Sequence, residues 1–194
     1  MQSVLESGDY NTGPCSDVFN CLVSKLEEVG ENIFQEKGQR YIFVLNNIYY
    51  VLQKKCHPEL ELLPRSLADN LDLLIDQYIM IYLDECWFPL MLSYLEGDSL
   101  KKPCRSSLKK FIKEFDGICK NQKTWKVQTV LKGILREEIV DLIVPKYVNF
   151  LKALQENPSS RWPSWVKGVQ RARSETPAYT DPQLRLVIRG LFER

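Results

Sequence analysis

The sequence predicts an all-α protein, and three observations lead to this prediction. Apolar residues recur every three or four positions through most of the chain, which is the spacing of one side of an α-helix. No segment shows the apolar–polar alternation that marks a half-buried strand. The continuous apolar run at 41–54 is too long for a single strand. We therefore expect helices that pack against one another.

The run 41–54 predicts a helix that is surrounded by protein. Its apolar residues fall on every side of a helical wheel. It is too short, and too interrupted by the amides Asn46 and Asn47, to span a bilayer. A buried amide without hydrogen bonds costs roughly 1–3 kcal/mol. We therefore expect at least one of the two amides to bind a neighbouring backbone or helix end.

Two helices are predicted in the first third of the chain. Ser16 and Asp17 can cap a helix that continues to about residue 35. One apolar stripe should form its buried side: Val18, Leu22, Leu26, Val29 and Ile33. Gly38 should break this helix. The buried helix then runs from residue 39 or 40 to 56 and ends before Pro58, because the residue before a proline avoids helical geometry.

A long helical pattern follows at 66–96. Pro89 lies inside it and should kink or split the helix, because its ring removes one backbone donor. Gly97 then begins a turn.

Three further helices are predicted after this turn. They cover residue 106 or 107 to about 123, about 129 to 154, and about 182 to 192. Pro145 should bend the second of them. Residues 156–182 contain four prolines and are expected to be mostly loop.

Charge is unevenly distributed along the chain, although the formal net charge is only +1. Segment 57–97 carries eight acidic residues and one basic residue, whereas segment 98–126 carries nine basic and three acidic residues. Since the chain is nearly neutral overall and its basic helix lacks interleaved aromatic residues, we do not expect nucleic acid as a partner. The six cysteines include no C-x-x-C pair, so we expect reduced thiols, no metal site and no cofactor.

Catalytic chemistry has little support in the sequence. Asp69, Asp72 and Asp76 share one side of a helix, but such spacing is typical of an exposed acidic stripe. Cys56 and His57 are neighbours at a helix end, where their side chains diverge. No Gly-rich phosphate loop is present. We predict that the chain is not an enzyme; a hydrolase would need Cys56 or a serine to converge on His57.

Five segments resemble segments of the seventy-kilodalton subunit of the exocyst, the vesicle-tethering complex. They are 41–54 (similar to Y-I-F-L-M-N-N-L-H-Y-I-V-Q-K), 108–115 with Gln122 and Trp125 (L-K-x-R-F-x-x-F…Q-x-x-W), 143–151 (I-P-x-Y-x-x-F-L), Tyr179-Thr180 (the Y-T of K-Y-I-K-Y-T-P-E-D-L) and 184–193 (L-x-x-x-L-x-x-L-F-E-G). Their order is shared with the family, and they are most similar to plant members. The chain is similar to the C-terminal third of such a protein.

This resemblance implies a stacked antiparallel helical bundle that forms the end of an elongated rod. It implies a non-catalytic module that acts in exocytosis, with other exocyst subunits as partners and a cytoplasmic position peripheral to the plasma membrane. Residues 1–16 are expected to be a flexible leader, and 17–194 the C-terminal helical domain of an exocyst subunit. A piece of a subunit, a truncated paralogue and a domain of a larger fusion all fit this length.

The resemblance also implies contact with phosphoinositides through basic residues. In the family these are the lysines of K-Y-I-K, but here the two positions are Glu175 and Ala178. Basic residues and tryptophans slightly upstream could substitute, because both favour an anionic membrane surface. The candidate lipid-binding residues are Lys167, Arg171, Arg173, Trp162 and Trp165. The alternative is that the tryptophans pack on the last helices while the charges are solvated.

Two other surfaces are candidates for partner binding. The first is the basic face of helix 106–123, formed by Arg105, Lys109, Lys110, Lys113 and Lys120. It is either a solvated face or a docking surface for an acidic partner or lipid. The second is a peptide groove that Pro89 would open among Tyr78, Tyr82, Trp87, Phe88 and Met91. The alternative is that these aromatic residues fill the seam between helices.

A rival function follows from the same resemblance. Some plant relatives are targets of pathogen effectors or are fused to immune receptors. The chain could therefore be a truncated or receptor-fused paralogue that binds an effector or a small adaptor protein in plant immunity, without binding lipid.

Overall fold

The structure, a computed structural model, describes residues 14–54, 65–156 and 179–193. Within these ranges the prediction of an all-α fold is confirmed, since they contain helices and no strand. The helices are α1 (Pro14–Ile33), α2 (Lys37–Lys54), α3 (Arg65–Cys86), α4 (Phe88–Tyr94), α5 (Asp98–Lys101), α6 (Arg105–Gln122), α7 (Thr129–Glu156) and α8 (Asp181–Arg189). The chain divides into two compact units, 1–82 and 83–194, and the boundary falls inside α3. The proposed leader 1–16 lies almost entirely outside the described residues.

The turn between α1 and α2 lies a few residues before the predicted break. Gly38 is inside α2 and does not end a helix. The chain turns at 34–36, where Arg40 reaches back across the turn. Its Nε donates to the Phe34 carbonyl at 2.8 Å and its Nη2 to the Gln35 carbonyl at 3.3 Å. Phe34 and Gln35 follow the end of α1, so no helical N–H is available to their carbonyls. Arg40 supplies donors to both.

The first unit is built on the packing of α1 against α2. Gly30 makes this approach close, because a Cβ added there would lie 3.5 Å from Phe43 Cδ1 and 3.6 Å from Arg40 Cβ. The rings of Phe34 and Phe43 pack with centroids 5.7 Å apart. The Tyr78 hydroxyl of α3 donates to Glu27 Oε1 at 2.5 Å. Burial is the main cause that raises the pKa of Tyr78, and this bond is the second.

The prediction for the buried side of α1 is wrong. Four of the five stripe residues are exposed, and Leu26 is half-buried. The buried apolar side chains are instead Phe19 and Val23, on the side that carries Gly30. The apolar residues of α1 span a wide arc, and α2 packs on the half where glycine allows the backbones to come close.

Helix α2 is mostly but not wholly surrounded by protein. Ile42, Val44, Leu45 and Ile48 are buried, whereas Tyr50 is 57% exposed. The Asn47 side chain donates to the Phe43 carbonyl at 2.7 Å. The Asn47 amide therefore binds a backbone carbonyl of its own helix, whereas the expected bond was to a neighbouring backbone or helix end.

The predicted break at Pro89 is confirmed. Helix α3 ends at Cys86, and α4 begins at Phe88 with Pro89 in its first turn, where a missing N–H costs no helical bond. Trp87, between the helices, is fully buried. The backbone N–H of Trp87 donates to the Leu83 carbonyl at 2.9 Å, and its backbone carbonyl accepts from the Met91 N–H at 3.2 Å.

The core of the second unit lies among α4, α6, α7 and α8. Helix α4 packs on α6, and α8 packs on α7. Phe111 of α6 stacks on Phe115 at 5.7 Å and contacts Tyr147 of α7 at 5.3 Å, while Trp87 contacts Phe115 at 6.0 Å. Helix α7 continues unbroken through Pro145. These rings fix the rotation of α6 about its axis.

The C-terminal segment is held at both ends. Thr180 and Gln183 form a capping box that starts α8. After α8, Phe192 adopts a φ of 60° and is buried. Arg136 of α7 donates from Nε to the Leu191 carbonyl at 3.0 Å, again from Nη2 to the same carbonyl, and from Nη2 to Glu193 at 3.1 Å.

Candidate interaction surface

The basic face of α6 is the candidate interaction surface that the structure describes in full. All five predicted residues are exposed: Arg105, Lys109, Lys110, Lys113 and Lys120. Four of them, all but Lys110, fall within about 80° of the helix circumference and extend over about 22 Å. The adjacent side, which faces the core, buries Phe111, Ile112, Phe115, Cys119 and Gln122. The helix is thus anchored by its apolar side and presents its cations outward.

In the part of the chain that the structure describes, no carboxylate forms an ion pair with the four lysines of this face. They are Lys109, Lys110, Lys113 and Lys120. The two acidic residues of α6 are engaged by tyrosines. Glu114 accepts from the Tyr94 hydroxyl at 2.6 Å, and Asp116 accepts from the Tyr179 hydroxyl at 2.6 Å.

Tyr179 joins the start of the C-terminal segment to this face. Its ring contacts Phe115 at 5.9 Å, edge to face, and its carbonyl accepts from the Tyr147 hydroxyl at 3.0 Å. Burial, together with the bond to Asp116, raises the pKa of Tyr179 to about 12. Burial also raises the pKa of Tyr147 to about 12. Both tyrosines therefore keep their protons at neutral pH and act as donors.

Helix α6 begins at a cysteine rather than at the predicted serines. Cys104 is the N-cap residue, and its Sγ lies 3.0 Å from Ser106 Oγ and 3.1 Å from Ser107 Oγ. The hydrogen bonds lower the pKa of the Cys104 thiol to about 7. The bond with Ser106 has the largest effect, and the bond with Ser107 the next largest. Near the C-terminal end of α6, Cys119 lies on the buried side, and burial raises the pKa of its thiol to about 12.

The aromatic cluster predicted as a peptide groove is mainly core. Tyr78, Tyr82, Trp87 and Met91 are buried, and Phe88 is 37% exposed. Pro89 starts a new helix without opening the packing around Trp87. Large apolar side chains gain most from leaving water, so they fill the helix seams instead of lining a groove.

Most of the remaining predicted site residues lie outside the described part of the chain. The candidate lipid-binding residues Lys167, Arg171, Arg173, Trp162 and Trp165 lie outside the described residues, as do Cys56 and His57. Asp72 and Asp76 are exposed on α3. In the part of the chain that the structure describes, no three His, Cys, Asp or Glu side chains are grouped to hold a metal ion. None of the described helices has both the length and the apolar character needed to cross a membrane.

Sequence reasoning missed one exposed surface. Val18, Leu22, Val29 and Ile33 of α1, which the periodicity assigned to the core, lie on the outer side of the helix. A signal for this was present, because Phe19 and Val23 form a second apolar row that can cover the core equally well.

A family model that describes the C-terminal part of Exo70, a component of the exocyst complex, matches residues 8–167, which is most of the chain.

The chain belongs to the Exo70 family. The predicted resemblance to the seventy-kilodalton exocyst subunit is thereby confirmed. Two similar proteins from Arabidopsis thaliana are named as exocyst complex components. EXO70B1 is 32% identical over 150 residues, covering 71% of this chain and 23% of that protein. EXO70B2 is 27% identical over 202 residues, covering 100% of this chain and 32% of that protein. The chain thus spans about a quarter to a third of the length of these Exo70 proteins.

Proposed function

We propose that this chain is a non-catalytic helical interaction module of an exocyst subunit that acts in vesicle tethering at the plasma membrane. The observation that carries the proposal is the Exo70 family match over residues 8–167. The relatives named as exocyst complex components support it. The partners are other exocyst subunits, and the location is cytoplasmic and peripheral to the plasma membrane.

The contact surface that we assign to this function is the basic face of α6. Its cations are exposed, and its four lysines have no acidic partner within the described residues. They are also held on a rigid helix, whose apolar side is buried. A rigid surface loses little conformational entropy on binding. An acidic patch of a neighbouring subunit is the ligand that fits such a row of charges, and the attraction should weaken with salt.

Capture of exocyst subunits by the immobilised chain tests this proposal. We expect the wild-type chain to capture them from a plant extract. The double variant Lys109→Glu/Lys113→Glu should lose most of this capture. The control Lys102→Glu/Lys152→Glu changes the net charge equally at two exposed positions outside α6, and should retain it. Failure of the wild-type chain to capture any exocyst subunit would contradict the proposed function, and equal capture by both variants would contradict the assigned surface.

Contact with phosphoinositide membranes is a finer part of the same proposal. Each cation near an anionic surface contributes about 1 kcal/mol, so Arg105, Lys109, Lys113 and Lys120 together give about 4 kcal/mol, a weak attachment. Lys167, Arg171 and Arg173 would add about 3 kcal/mol. Sedimentation with phosphatidylcholine vesicles that contain phosphatidylinositol 4,5-bisphosphate measures the sum. Reversal of either set separately identifies which residues contribute.

The rival function is that of an effector target or decoy in plant immunity. One observation favours it: Glu175 and Ala178 replace the two lysines of the family's lipid motif. This function predicts no vesicle binding even at low salt. Salt-sensitive vesicle binding that is lost on charge reversal would instead support the membrane role.

A further inference from the structure

Ser106 is an exposed hydroxyl among the cations of the basic face. Residues 99–113 contain six basic residues and no acidic one. On the helical wheel Ser106 lies about 60° from Lys109 and about 40° from Lys110, on opposite sides. Residues three and four positions apart on a helix are neighbours, with their Cβ atoms about 5–6 Å apart. Both lysines make no ion pair within the described residues, so an anionic group on Ser106 would have two free cations beside it.

The start of α6 also lacks a negative charge. Its first turn contains no acidic residue, and the N-cap residue Cys104 makes no side-chain capping bond to the backbone. The first N–H groups of a helix have no acceptor within the helix, and they form the positive end of the helix dipole. Ser106 is the second residue of α6. A phosphate on Ser106 would therefore be stabilised by the helix end as well as by Lys109 and Lys110.

We propose that Ser106 is a phosphorylation site for a protein kinase with an acidic substrate groove, and that the phosphate blocks the basic face of α6 for acidic partners. This rests on the proposed function, which assigns that face as the contact surface. In the transfer, Ser106 Oγ attacks the γ-phosphorus of ATP while the bond from that phosphorus to the β-phosphate oxygen breaks. ADP leaves, and the hydroxyl proton passes to the carboxylate base of the kinase. The product carries a charge of about −1.5 to −2, which compensates about two lysines.

The segment around Ser106 can reach a kinase without disturbing the apolar side of α6. The four-residue helix α5 has no buried residue, and the first buried side chain of α6 is Phe111. Unwinding the first turn of α6 therefore exposes none of the buried side chains of that helix, and such openings have a low free energy. Lys101, Lys102 and Arg105 are exposed just before Ser106. They provide the positive charge that an acidic groove selects.

Phosphorylation of the full chain tests the site itself. The chain is incubated with plant extract, Mg²⁺ and ATP, and phosphopeptide mass spectrometry locates the phosphate. We expect phosphate on Ser106. Lys101→Gln/Lys102→Gln should slow its appearance at least about fivefold, because this variant removes charge before the site. The control Lys123→Gln/Lys126→Gln removes equal charge at exposed positions after α6 and should change the rate less than about twofold. Absence of phosphate from Ser106, or equal rates in the two variants, would overturn the proposal.

Binding to fluorescent poly-L-glutamate, a model acidic partner, tests the effect on the basic face. Phosphoserine is incorporated at position 106 during translation, and fluorescence anisotropy is measured at about 50 mM NaCl, where screening is weak. We expect the dissociation constant to rise at least about tenfold. Phosphoserine at the exposed position of Ser24 on α1 adds the same charge outside α6 and should raise it less than about threefold. Equal weakening by the two phosphates would overturn the proposal, as would an unmodified chain that does not bind poly-L-glutamate.

Phosphorus NMR tests the contact between the phosphate and the lysines. The second pKa of the phosphate at position 106 should lie below the usual value of about 6, because neighbouring cations favour the doubly charged form. Lys109→Glu/Lys110→Glu should raise this pKa. A value of about 6 or above in the otherwise unchanged chain would overturn the proposal. Circular dichroism verifies that the helices of each variant are intact.

The three measurements use no exocyst subunit. Failure of the chain to capture such subunits would therefore contradict the proposed function, whereas the role of Ser106 is decided by the phosphorylation, binding and NMR results.

Discussion

Helices α1 and α6 have similar amphipathic sequences but different surroundings. The apolar side of α6 is buried, and its cations and other polar residues face water. The apolar arc of α1 extends beyond the part of the helix that is buried. As a result, Phe19 and Val23 are buried, whereas Val18 and Ile33 are exposed. Amphipathicity predicts that a helix packs on something, but the width of the apolar arc decides how many neighbours it needs.

The difference also determines what each helix can recognise. The exposed face of α6 is a row of charges, which attracts acidic groups and is weakened by salt. The exposed side of α1 is aliphatic with two compensating charges, so it favours another apolar helix surface. In one chain, therefore, the two helices offer surfaces for two kinds of partner.

Thiol labelling gives the largest expected contrast between the two helices. Cys21 is exposed on α1, whereas Cys119 is buried on α6 and burial raises its pKa to about 12. At pH 8 we expect iodoacetamide to alkylate Cys119 at least about 100-fold more slowly than Cys21, because the thiolate is the reactive form. Peptide mass spectrometry measures both rates. Comparable rates in the folded chain would show that the covered side of α6 opens readily; in guanidinium chloride the two rates should converge.

Replacing isoleucine by alanine should lower the free energy of unfolding much more on α6 than on α1. Ile112 of α6 is 2% exposed, and Ile112→Ala should lower the free energy of unfolding by about 2–5 kcal/mol. Ile33 of α1 is exposed, so Ile33→Ala should change it by about 0.5 kcal/mol or less. Urea unfolding followed by circular dichroism provides both values. A loss above about 2 kcal/mol for Ile33→Ala would mean that the rest of the chain covers this side of α1.

Removal of the Tyr179 hydroxyl should have a smaller effect. Tyr179→Phe loses a bond to the Asp116 carboxylate at a partly exposed position, and we expect a loss of about 1 kcal/mol at pH 7. Because the folded pKa of Tyr179 is raised to about 12, above the usual value of 10 for tyrosine, its contribution is present below pH 10 and is lost as pH rises from 10 to 12. The variant should therefore lose less stability than the wild type over that interval in thermal unfolding. An unchanged alkaline profile would argue against this bond.

The basic face should contribute least to folding. Lys109→Glu/Lys113→Glu should change the free energy of unfolding by about 0.5 kcal/mol or less, since both side chains are exposed and make no ion pair within the described residues. The control Lys102→Glu/Lys152→Glu should behave alike in the same urea experiment. A selective loss above about 1 kcal/mol in the first variant would show that these lysines stabilise the fold rather than serve a partner.

Much of the fold could be predicted from the sequence because local signals decided it. The start of α7 at Thr129 was predicted correctly, since its long periodicity follows a stretch without it. The break before Pro89 follows from one missing N–H. The turn after α1 was misplaced, because Gly38 is a helix breaker by propensity but is tolerated inside α2, and side-chain bonds from Arg40 act on the real turn.

Some features of the candidate surfaces could likewise be predicted from the sequence, and others could not. The basic face of α6 follows from helical geometry alone, and its five residues are exposed as the wheel predicted. The bond between Tyr179 and Asp116 joins residues 63 positions apart, and no local pattern marks such a contact. The exposed stripe of α1 could not be distinguished from its buried row, because both are apolar and only the approach of α2 at Gly30 selects one.

Amide hydrogen exchange tests the contrast between α1 and α6 most directly. If the apolar side of α6 is fully covered and that of α1 only partly, the amides of α1 between residues 18 and 33 should exchange faster than those of α6 between residues 109 and 122. Exchange in α6 as fast as in α1 would contradict the account.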